Sequence, residues 1–304
     1  MSPGKDKIAV LMGGISAERE VSLMSGTAVL DGLIRKGFDA FPVDPKTNDI
    51  NYLFDKNISA AFVMLHGRGG EDGVIQGVLT QAKIPFTGSG VLACSLAMDK
   101  WRTKLVWKAL GLPTPPCFVI NDKTNFDQIA DDLGFPLIVK PNSEGSTIGL
   151  TKANSKHELL DGYNEAKKFD DVVLAEKWIN GIELTATVLN NKPLPLIQIE
   201  APGGNYDYQA KYFSDQTEYL CPSSLSSIQE EKIEQLCLKA FKSLGCFGWG
   251  RVDLMLDEAG GPWLLEVNTV PGMTNHSLVP MSAKAKGISF DDLLLKILED
   301  ANVE

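Results

Sequence analysis

Short apolar runs alternate with longer segments of mixed polarity along the first ninety residues. The apolar runs, which are bounded by turn residues, predict strands, and the mixed segments predict helices. The predicted strands span residues 8–12, 40–43, 60–65 and 85–87, and the predicted helices span residues 17–36 and 74–82. Alternation of this kind is typical of an α/β domain that is doubly wound around a parallel sheet.

The pattern becomes less regular after residue 91. A predicted helix at residues 92–110 precedes a break that contains Pro113, Pro115 and Pro116. Strands at 137–140 and 172–177 flank a helix at 157–169, and the part from Trp178 onward is rich in strands, with helices at 227–244 and 290–299. The chain as a whole is therefore predicted to be α+β.

Residues 252–257 and 262–267 are apolar, alternating runs on either side of the turn-forming residues 258–261, and they predict a β-hairpin. With a four-residue turn, Asp257 pairs with Pro262, so that Asp253 pairs with Glu266. Asn268 then lies on the same face as Glu266, two residues further on. The hairpin is therefore expected to place two carboxylates and one amide side by side.

Two carboxylates that face each other across a strand pair repel, so a positive charge is expected between them. Oxygen ligands without histidine or cysteine suit a hard cation, and a small ligand set with room for phosphate oxygens suits Mg²⁺ better than Ca²⁺. The hairpin therefore predicts a metal-nucleotide site. The alternative is a solvated hairpin face that carries three polar residues by chance.

Composition narrows the class of protein. Of the 304 residues, 44% are hydrophobic and 22% charged, which is typical of a soluble globular protein, and the net charge of -10 argues against a nucleic-acid partner. The five cysteines are odd in number and form no C-x-x-C pair, so free thiols in a reducing cytoplasm are expected. The apolar run at residues 8–12 is too short for a signal peptide or a membrane span.

Ligands of parallel sheets bind beyond the carboxyl ends of the strands, where this chain has two glycine-rich loops, residues 13–18 and 66–73. His66 is thus placed for ligand binding. A third loop, residues 142–149, follows a buried strand that ends at Lys140, and its backbone N–H groups could cover phosphates. It lacks the Gly-Lys-Ser/Thr ending of a Walker A loop, and a plain turn is the alternative.

Three other classes of protein have sequence signatures that can be compared with this chain. Residues 88–93 match the G-x-G-x-x-A fingerprint of nicotinamide dehydrogenases, but residues 104–116 contain no acidic group for the ribose, so we interpret the match as a tight turn before a helix. A serine hydrolase would need a G-x-S-x-G motif, which the chain lacks. A binding module without catalysis stays open, and nucleotide turnover distinguishes it.

Taken together, these motifs resemble the ATP-grasp ligases, and within them the ligases that join two D-alanine molecules. The resemblance extends over essentially the whole chain, at residues 13–22, 65–73, 98–100, 139–141, 144–146, 248–253 and 271–280. It implies a doubly wound N-terminal domain at residues 1–91, followed by a two-lobed ATP-grasp fold with a small lobe at 92–177 and a C-terminal lobe at 178–304.

The resemblance also implies a nucleotide site. Lys100 and Lys140 would contact ATP phosphates, and Lys211 would close over them from a lid at residues 206–215. Glu176, Lys177, Trp178 and Ile179 would bind adenine, and Glu183 would bind the ribose. Asp253, Glu266 and Asn268 would hold two Mg²⁺, with Mn²⁺ as the substitute cation.

For the amino-acid substrates, the resemblance implies that Glu18 binds the ammonium group of a first D-alanine, in a hydrogen-bonded set with Ser146 and Tyr212. Arg251 and the backbone of Gly272 would stabilise an oxyanion, and Ser277 and Leu278 would receive the second D-alanine. The implied reaction is ATP-dependent formation of D-alanyl-D-alanine through an acyl phosphate, releasing ADP and phosphate, for peptidoglycan precursor synthesis. A cytoplasmic homodimer without nucleic-acid or membrane partners is expected.

Overall fold

The computed structural model describes residues 1–48, 50–54, 57–200, 217–274 and 276–303. Its first sheet has the order β2-β1-β3, and all pairs are parallel, as predicted. The elements of this part are β1 (Lys7–Leu11), α1 (Arg19–Arg35), β2 (Asp39–Val43), a 3₁₀ turn (Ile50–Leu53), β3 (Ala60–Val63) and α2 (Val74–Ala82). The strand predicted at residues 85–87 is wrong, because only Phe86 forms isolated bridges, to Ala61 and to Asn302.

Two helices replace the single helix predicted at residues 92–110. They are α3 (Val91–Met98) and α4 (Lys100–Ala109). Asp99 separates them with an extended backbone, φ -86° and ψ 95°, and its carboxylate accepts a hydrogen bond from the Arg102 N–H at 2.8 Å. Because an aspartate at this position satisfies an N–H group that the first helical turn leaves without a partner, a new helix begins there.

The second sheet is antiparallel, with the order β4-β7-β5-β6. Its elements are β4 (Cys117–Ile120), α5 (Phe126–Leu133), β5 (Leu137–Pro141), β6 (Thr151–Ala153), α6 (Lys156–Ala166) and β7 (Val173–Lys177). The strands predicted at 137–140 and 172–177 are confirmed, and the helix predicted at 157–169 ends three residues early. The pattern did not predict β4, α5 or β6, which are short.

The third sheet, also antiparallel, has the order β11-β10-β8-β12-β13, with β9 paired to β8. Its elements are β8 (Gly181–Leu189), β9 (Lys192–Pro193), β10 (Ile197–Glu200), β11 (Glu218–Leu220), α7 (Ser227–Ser243), β12 (Trp249–Asp257), β13 (Pro262–Asn268), α8 (Leu278–Ala285) and α9 (Phe290–Glu299). Helices α7 and α9 were predicted, whereas α8 was not.

The hydrophobic cores join elements that are distant in sequence. Buried side chains of α8 and α9, such as Val279 and Leu294, belong to the core of the first sheet. Trp107 of α4 is fully buried in the core beneath the third sheet, where its Nε1 donates to the Ala240 carbonyl at 3.2 Å. The division at residues 91 and 177 stays a prediction, since the packing crosses both boundaries.

None of the helices in the described part of the chain combines the length and the apolar character needed to cross a membrane. All five cysteines are free thiols, and three of them are buried.

Candidate active site

The hairpin of β12 and β13 pairs Asp253 with Glu266, as predicted. The prediction that Asp257 pairs with Pro262 is wrong, because Pro262 pairs with Leu256. Asp257 instead caps the turn, where its carboxylate accepts hydrogen bonds from the backbone N–H groups of Ala259 and Gly261. An irregularity in register between Asp253 and Leu254 shifts the pairing back by one residue. The predicted carboxylate pair therefore results from two one-residue deviations that cancel.

Each carboxylate of this pair has a cationic partner. Arg251 forms two hydrogen bonds of 2.8 Å with Asp253, and Lys100 Nζ lies 3.2 Å from Glu266 Oε2. Asp253 also accepts from Thr185 Oγ1 at 2.6 Å and from Asn268 Nδ2 at 3.0 Å. The repulsion between the carboxylates is thus offset by protein side chains, and repulsion alone does not require a cation.

The donor chemistry nevertheless fits a hard cation. Asp253, Glu266 and Asn268 offer only oxygen ligands, and they are adjacent on one hairpin face. Across the described ranges, no three histidine, cysteine, aspartate or glutamate side chains are arranged so that together they could hold a metal ion. A cation here would take two carboxylates and one amide oxygen from the protein, and its other ligands from water and substrate.

A cleft that is open to solvent lies against this hairpin. Its wall includes nine of the residues predicted to bind substrate, stabilise the oxyanion or hold the metal, and these residues are far apart in sequence. They are Glu18, His66, Ser146, Arg251, Glu266, Asn268, Gly272, Ser277 and Leu278. The structure therefore brings together the substrate side and the metal side of the predicted site.

Glu18 lies just before α1 and is buried. Ser146 Oγ donates a hydrogen bond to Glu18 Oε1, so the structure brings these two members of the predicted set together. A Cβ added to Gly145 would lie 2.9 Å from Glu18 Oε2, so a side chain there would crowd the carboxylate. Ser146 itself has φ +53°, a left-handed conformation that costs free energy for a non-glycine residue.

His66 is buried, and its Nδ1 lies 2.8 Å from the Val270 carbonyl oxygen, to which it donates. Desolvation lowers the pKa of the imidazole, which therefore is neutral and carries its proton on Nδ1. Ser25 Oγ lies 3.4 Å from His66 Nε2 and accepts from the Met273 N–H at 3.0 Å. His66 and Ser25 thus hold both ends of the loop that contains Gly272.

Glu71 is a site residue that the sequence reasoning missed. Its carboxyl lines the cleft and accepts hydrogen bonds from the Gly67 N–H at 2.8 Å and the Val270 N–H at 3.1 Å. Desolvation, with a contribution from the neighbouring charge of Glu18, raises the pKa of Glu71 to about 8. The sequence does contain one indication of its role, since Glu71 is an acidic residue in the glycine-rich loop after β3, where ligands of parallel sheets bind.

The backbone at Gly272 comes close to the start of α8. A Cβ added to Gly272 would lie 2.9 Å from Ser277 Oγ, so no larger residue fits without displacing that hydroxyl. Ser277 Oγ in turn accepts from the Thr274 N–H at 2.8 Å. Gly272, Ser277 and the first residue of α8, Leu278, therefore form one fixed wall of the cleft.

The residues predicted to bind nucleotide phosphates lie beside this cleft. Lys100 Nζ donates to the Glu144 carbonyl at 2.7 Å, and Lys140 Nζ donates to Glu176 Oε1 at 3.0 Å. Glu176 is only 3% exposed and has a second cationic partner, Lys104, at 2.8 Å from its Oε2. Burial alone would raise the pKa of Glu176, but the two lysines lower it below its usual value.

The rest of the predicted adenine segment consists of the last residue of β7 and the two residues that follow it. Lys177 is exposed, the Trp178 ring lies 3.7 Å from Lys152 Nζ, and Ile179 is buried. Glu183 is two residues before Thr185 on β8, so it faces the same side of the sheet as Asp253. Lys211, Tyr212 and the whole predicted lid, residues 206–215, lie outside the described residues.

Both family models and full-length proteins of known family are similar to this chain. Residues 106–299 match the family model described as D-ala D-ala ligase C-terminus, and residues 46–89 match the model described as D-ala D-ala ligase N-terminus. A D-alanine-D-alanine ligase from Aromatoleum aromaticum is 55% identical over 98% of this chain and 96% of its own length.

Two solved structures are similar over nearly the whole chain. The D-alanine-D-alanine ligase from Bacillus anthracis complexed with ATP has a TM-score of 0.85 and 36% identity, covering 97% of this chain and 96% of its own. The VanG D-Ala:D-Ser ligase from Enterococcus faecalis has a TM-score of 0.83 and 30% identity, covering 97% of this chain and 98% of its own.

Proposed function

Since this chain belongs to the D-alanine-D-alanine ligase family, we propose that it joins two D-alanine molecules into D-alanyl-D-alanine, with conversion of ATP to ADP and phosphate. One observation carries the proposal. Glu18, Arg251 and Glu266, which suit an ammonium group, an oxyanion and a phosphate-bound cation respectively, line a single cleft. A site with these three chemistries serves a reaction that activates a carboxylate as an acyl phosphate and then transfers the acyl group to an amine.

ATP is assigned to the side of the cleft where Lys100, Lys140 and Glu176 lie. The two lysines offer positive charge to the phosphates, and both are held by buried contacts before ATP arrives. Glu176 would accept from the adenine amino group, while Lys177, Trp178 and Ile179 form the rest of the base site. Glu183, on the sheet face of Asp253, would bind the ribose, and Lys211 would reach the phosphates from the lid.

Asp253, Glu266 and Asn268 are the residues that would hold two Mg²⁺, for which Mn²⁺ would substitute. Bound there, the cations would neutralise phosphate charge and make the γ-phosphate a better electrophile. Lys100 shares Glu266 with this site, so it would orient that carboxylate while it contacts the phosphates. Arg251 holds Asp253 through both carboxylate oxygens and so fixes its orientation.

In the first half-reaction, a carboxylate oxygen of the first D-alanine attacks the γ-phosphorus, the bond to the bridging oxygen of ADP breaks, and an acyl phosphate forms. Glu18 would hold the ammonium of this D-alanine, and Ser146 orients Glu18 through its hydrogen bond. Tyr212 would complete this set from the lid. Because these contacts fix the substrate relative to the phosphates, they reduce the entropic part of the barrier.

In the second half-reaction, the neutral amine of the second D-alanine attacks the acyl carbon. The backbone N–H at Gly272 and the Arg251 guanidinium would stabilise the tetrahedral oxyanion, and donors of this kind contribute roughly 3 to 4 kcal/mol each in comparable sites. The bond between the acyl carbon and the phosphate oxygen then breaks, and the departing phosphate takes up the proton that the amine loses. His66 supports this step by holding the Val270 carbonyl, and Ser277 with the start of α8 would receive the acceptor carboxylate.

The setting of this reaction is also part of the proposal. D-Alanyl-D-alanine is a component of peptidoglycan precursors, and the free thiols and the net charge of -10 are consistent with a cytoplasmic enzyme. We further propose a homodimer, as the resemblance implies, with neither nucleic acid nor membrane as a partner.

The test is phosphate release from Mg-ATP with D-alanine, L-alanine, D-alanine plus D-lactate, D-alanine plus D-serine, or no amino acid, with product masses recorded. One D-alanyl-D-alanine per phosphate, and no release without D-alanine, is the expected result. A larger yield of the D-serine product would instead place the chain with ligases such as VanG. Phosphate release that ignores all of these amino acids would contradict the proposed substrates, and no release at all would favour a binding module.

A further inference from the structure

Behind the proposed adenine site, one buried carboxylate lies between two lysine ammonium groups. Glu176 Oε2 lies 2.8 Å from Lys104 Nζ, and Glu176 Oε1 lies 3.0 Å from Lys140 Nζ. Cys117, opposite Glu176 on β4, has its thiol pKa raised by burial, so it adds no charge. One carboxylate therefore has two lysine partners.

The two lysines differ in what else they contact. Lys104 is 2% exposed, and its Nζ also donates to Thr114 Oγ1 at 2.8 Å, which donates to the Leu264 carbonyl at 2.9 Å. These contacts link Lys104 of α4 to the segment before β4 and to the hairpin of β12 and β13. A second carboxylate, Glu266, acts on Lys140. Desolvation lowers the pKa of Lys140, but the charges of Glu176 and Glu266 outweigh it and raise that pKa. Lys140 is therefore the lysine on the metal side of Glu176.

We propose that Lys104 is the permanent counter-ion of Glu176. Because Lys104 stays with Glu176, the ammonium group of Lys140 can move from Glu176 to the phosphates of ATP. Lys104 is then a positioning residue, because it acts on the nucleotide through Glu176 and Lys140. This inference rests on the proposed function, since it assumes that ATP binds at Lys140 and Glu176.

The electrostatics before and after ATP binding support this assignment. Desolvation lowers the pKa of Lys104, and the charge of Lys140 lowers it further, while Glu176 opposes both effects. Departure of Lys140 toward the phosphates removes that repulsion and leaves Glu176 to Lys104 alone. A buried, hydrogen-bonded pair without net charge then remains behind the adenine. Without Lys104, the same movement would leave a buried carboxylate without a cation.

This reasoning predicts a difference between nucleotides with and without phosphates. The Lys104→Met variant should bind ATP at least about 100-fold more weakly than the wild type, a loss of roughly 3 kcal/mol. The phosphates draw Lys140 away from Glu176, and the buried carboxylate is then left without a cation. Adenosine does not recruit Lys140, so Glu176 keeps a counter-ion and adenosine affinity falls by less than about 5-fold. A purely structural role of Lys104 would weaken both ligands alike.

The experiment measures Mg-ATP and adenosine affinity by calorimetry or by ligand-observed NMR, in the full chain, together with the thermal midpoint of each variant. Lys108→Met is the matched control, since it removes the same charge from an exposed position one turn further along α4. Its ATP affinity should stay within about 3-fold of the wild type, as expected for an exposed charge.

A second pair of variants keeps the inference testable if Lys104→Met does not fold. In the Glu176→Gln background there is no carboxylate for Lys104 to balance, so adding Lys104→Met should change ATP affinity by less than about 3-fold. Equal losses for ATP and adenosine in the single variant, or a full 100-fold loss in the Glu176→Gln background, would overturn the inference. Failure of the wild type to bind ATP would instead overturn the proposed function and the inference with it.

Discussion

Glu71 should make the stability of this protein depend on pH between about 4.5 and 8. Its carboxyl is half-buried in the cleft, and desolvation together with the charge of Glu18 raises its pKa from an ordinary 4.5 to about 8. In this window the folded protein keeps the proton, whereas the unfolded chain loses it. The stabilising contribution is therefore present at low pH and is lost as the pH rises toward 8.

The size of the effect follows from the two pKa values. A group with pKa 8 in the folded state and 4.5 in the unfolded state makes the free energy of unfolding smaller by roughly 3 to 4 kcal/mol at pH 8 than at pH 5. Glu71→Gln removes the titrating group, so this part of the pH dependence disappears. The amide also places a donor beside the backbone N–H of Gly67 or Val270, which costs about 1 to 3 kcal/mol at every pH.

Urea unfolding of wild type and Glu71→Gln at pH 5, 6, 7 and 8 measures this difference, and the other titrating groups cancel between the two proteins. We expect the variant to be less stable at pH 5 and to approach or exceed the wild type at pH 8. An infrared band of a protonated carboxyl, present near pH 6 in the wild type and absent from the variant, is an independent check. Parallel pH profiles for the two proteins would refute the burial argument.

Two further predictions concern the substrate and metal sides of the cleft. Gly272→Ala brings a Cβ to 2.9 Å from Ser277 Oγ, which holds the Thr274 N–H, so the KM for the acceptor D-alanine should rise about 10-fold in steady-state assays, as expected for one lost hydrogen bond. An unchanged KM would mean that the hydroxyl moves freely. Glu266→Gln should lose most of the Mg²⁺-dependent rate, and wild-type turnover across a titration down to low Mg²⁺ would rule out a cation site on the hairpin.

Residue patterns predicted much of the fold because they reflect local physics. The parallel first sheet and the helix Val74–Ala82 follow from periodicity and turn residues, whereas the pairing of Asp253 with Glu266 also depends on a register shift that the sequence does not show. The break at Asp99 was missed, since one capping residue does not interrupt an apolar period. Short elements such as Cys117–Ile120 owe their form to strand partners that the sequence does not identify.

Within the site, the predicted residues were those in recognisable motifs, and the missed ones depend on tertiary contacts. Lys104 on a helix has the pattern of an exposed residue, and only the fold shows that its ammonium is enclosed with Glu176. Glu71 lies in a glycine-rich loop. One of its backbone partners, Gly67, is in the same loop, but the other, Val270, is 199 residues away in sequence. Contacts over such separations have no local signature.

The packing of α9 against the first sheet affects how this chain folds while it is being synthesised. Arg35 and Lys36, at the end of α1, form ion pairs with Asp291 and Asp292, and Phe86 bridges to Asn302. The apolar surface that Leu294 covers is made within the first hundred residues but stays exposed until synthesis has passed residue 294. Until that residue has been made, the nascent first sheet presents the kind of uncovered apolar surface that chaperones bind.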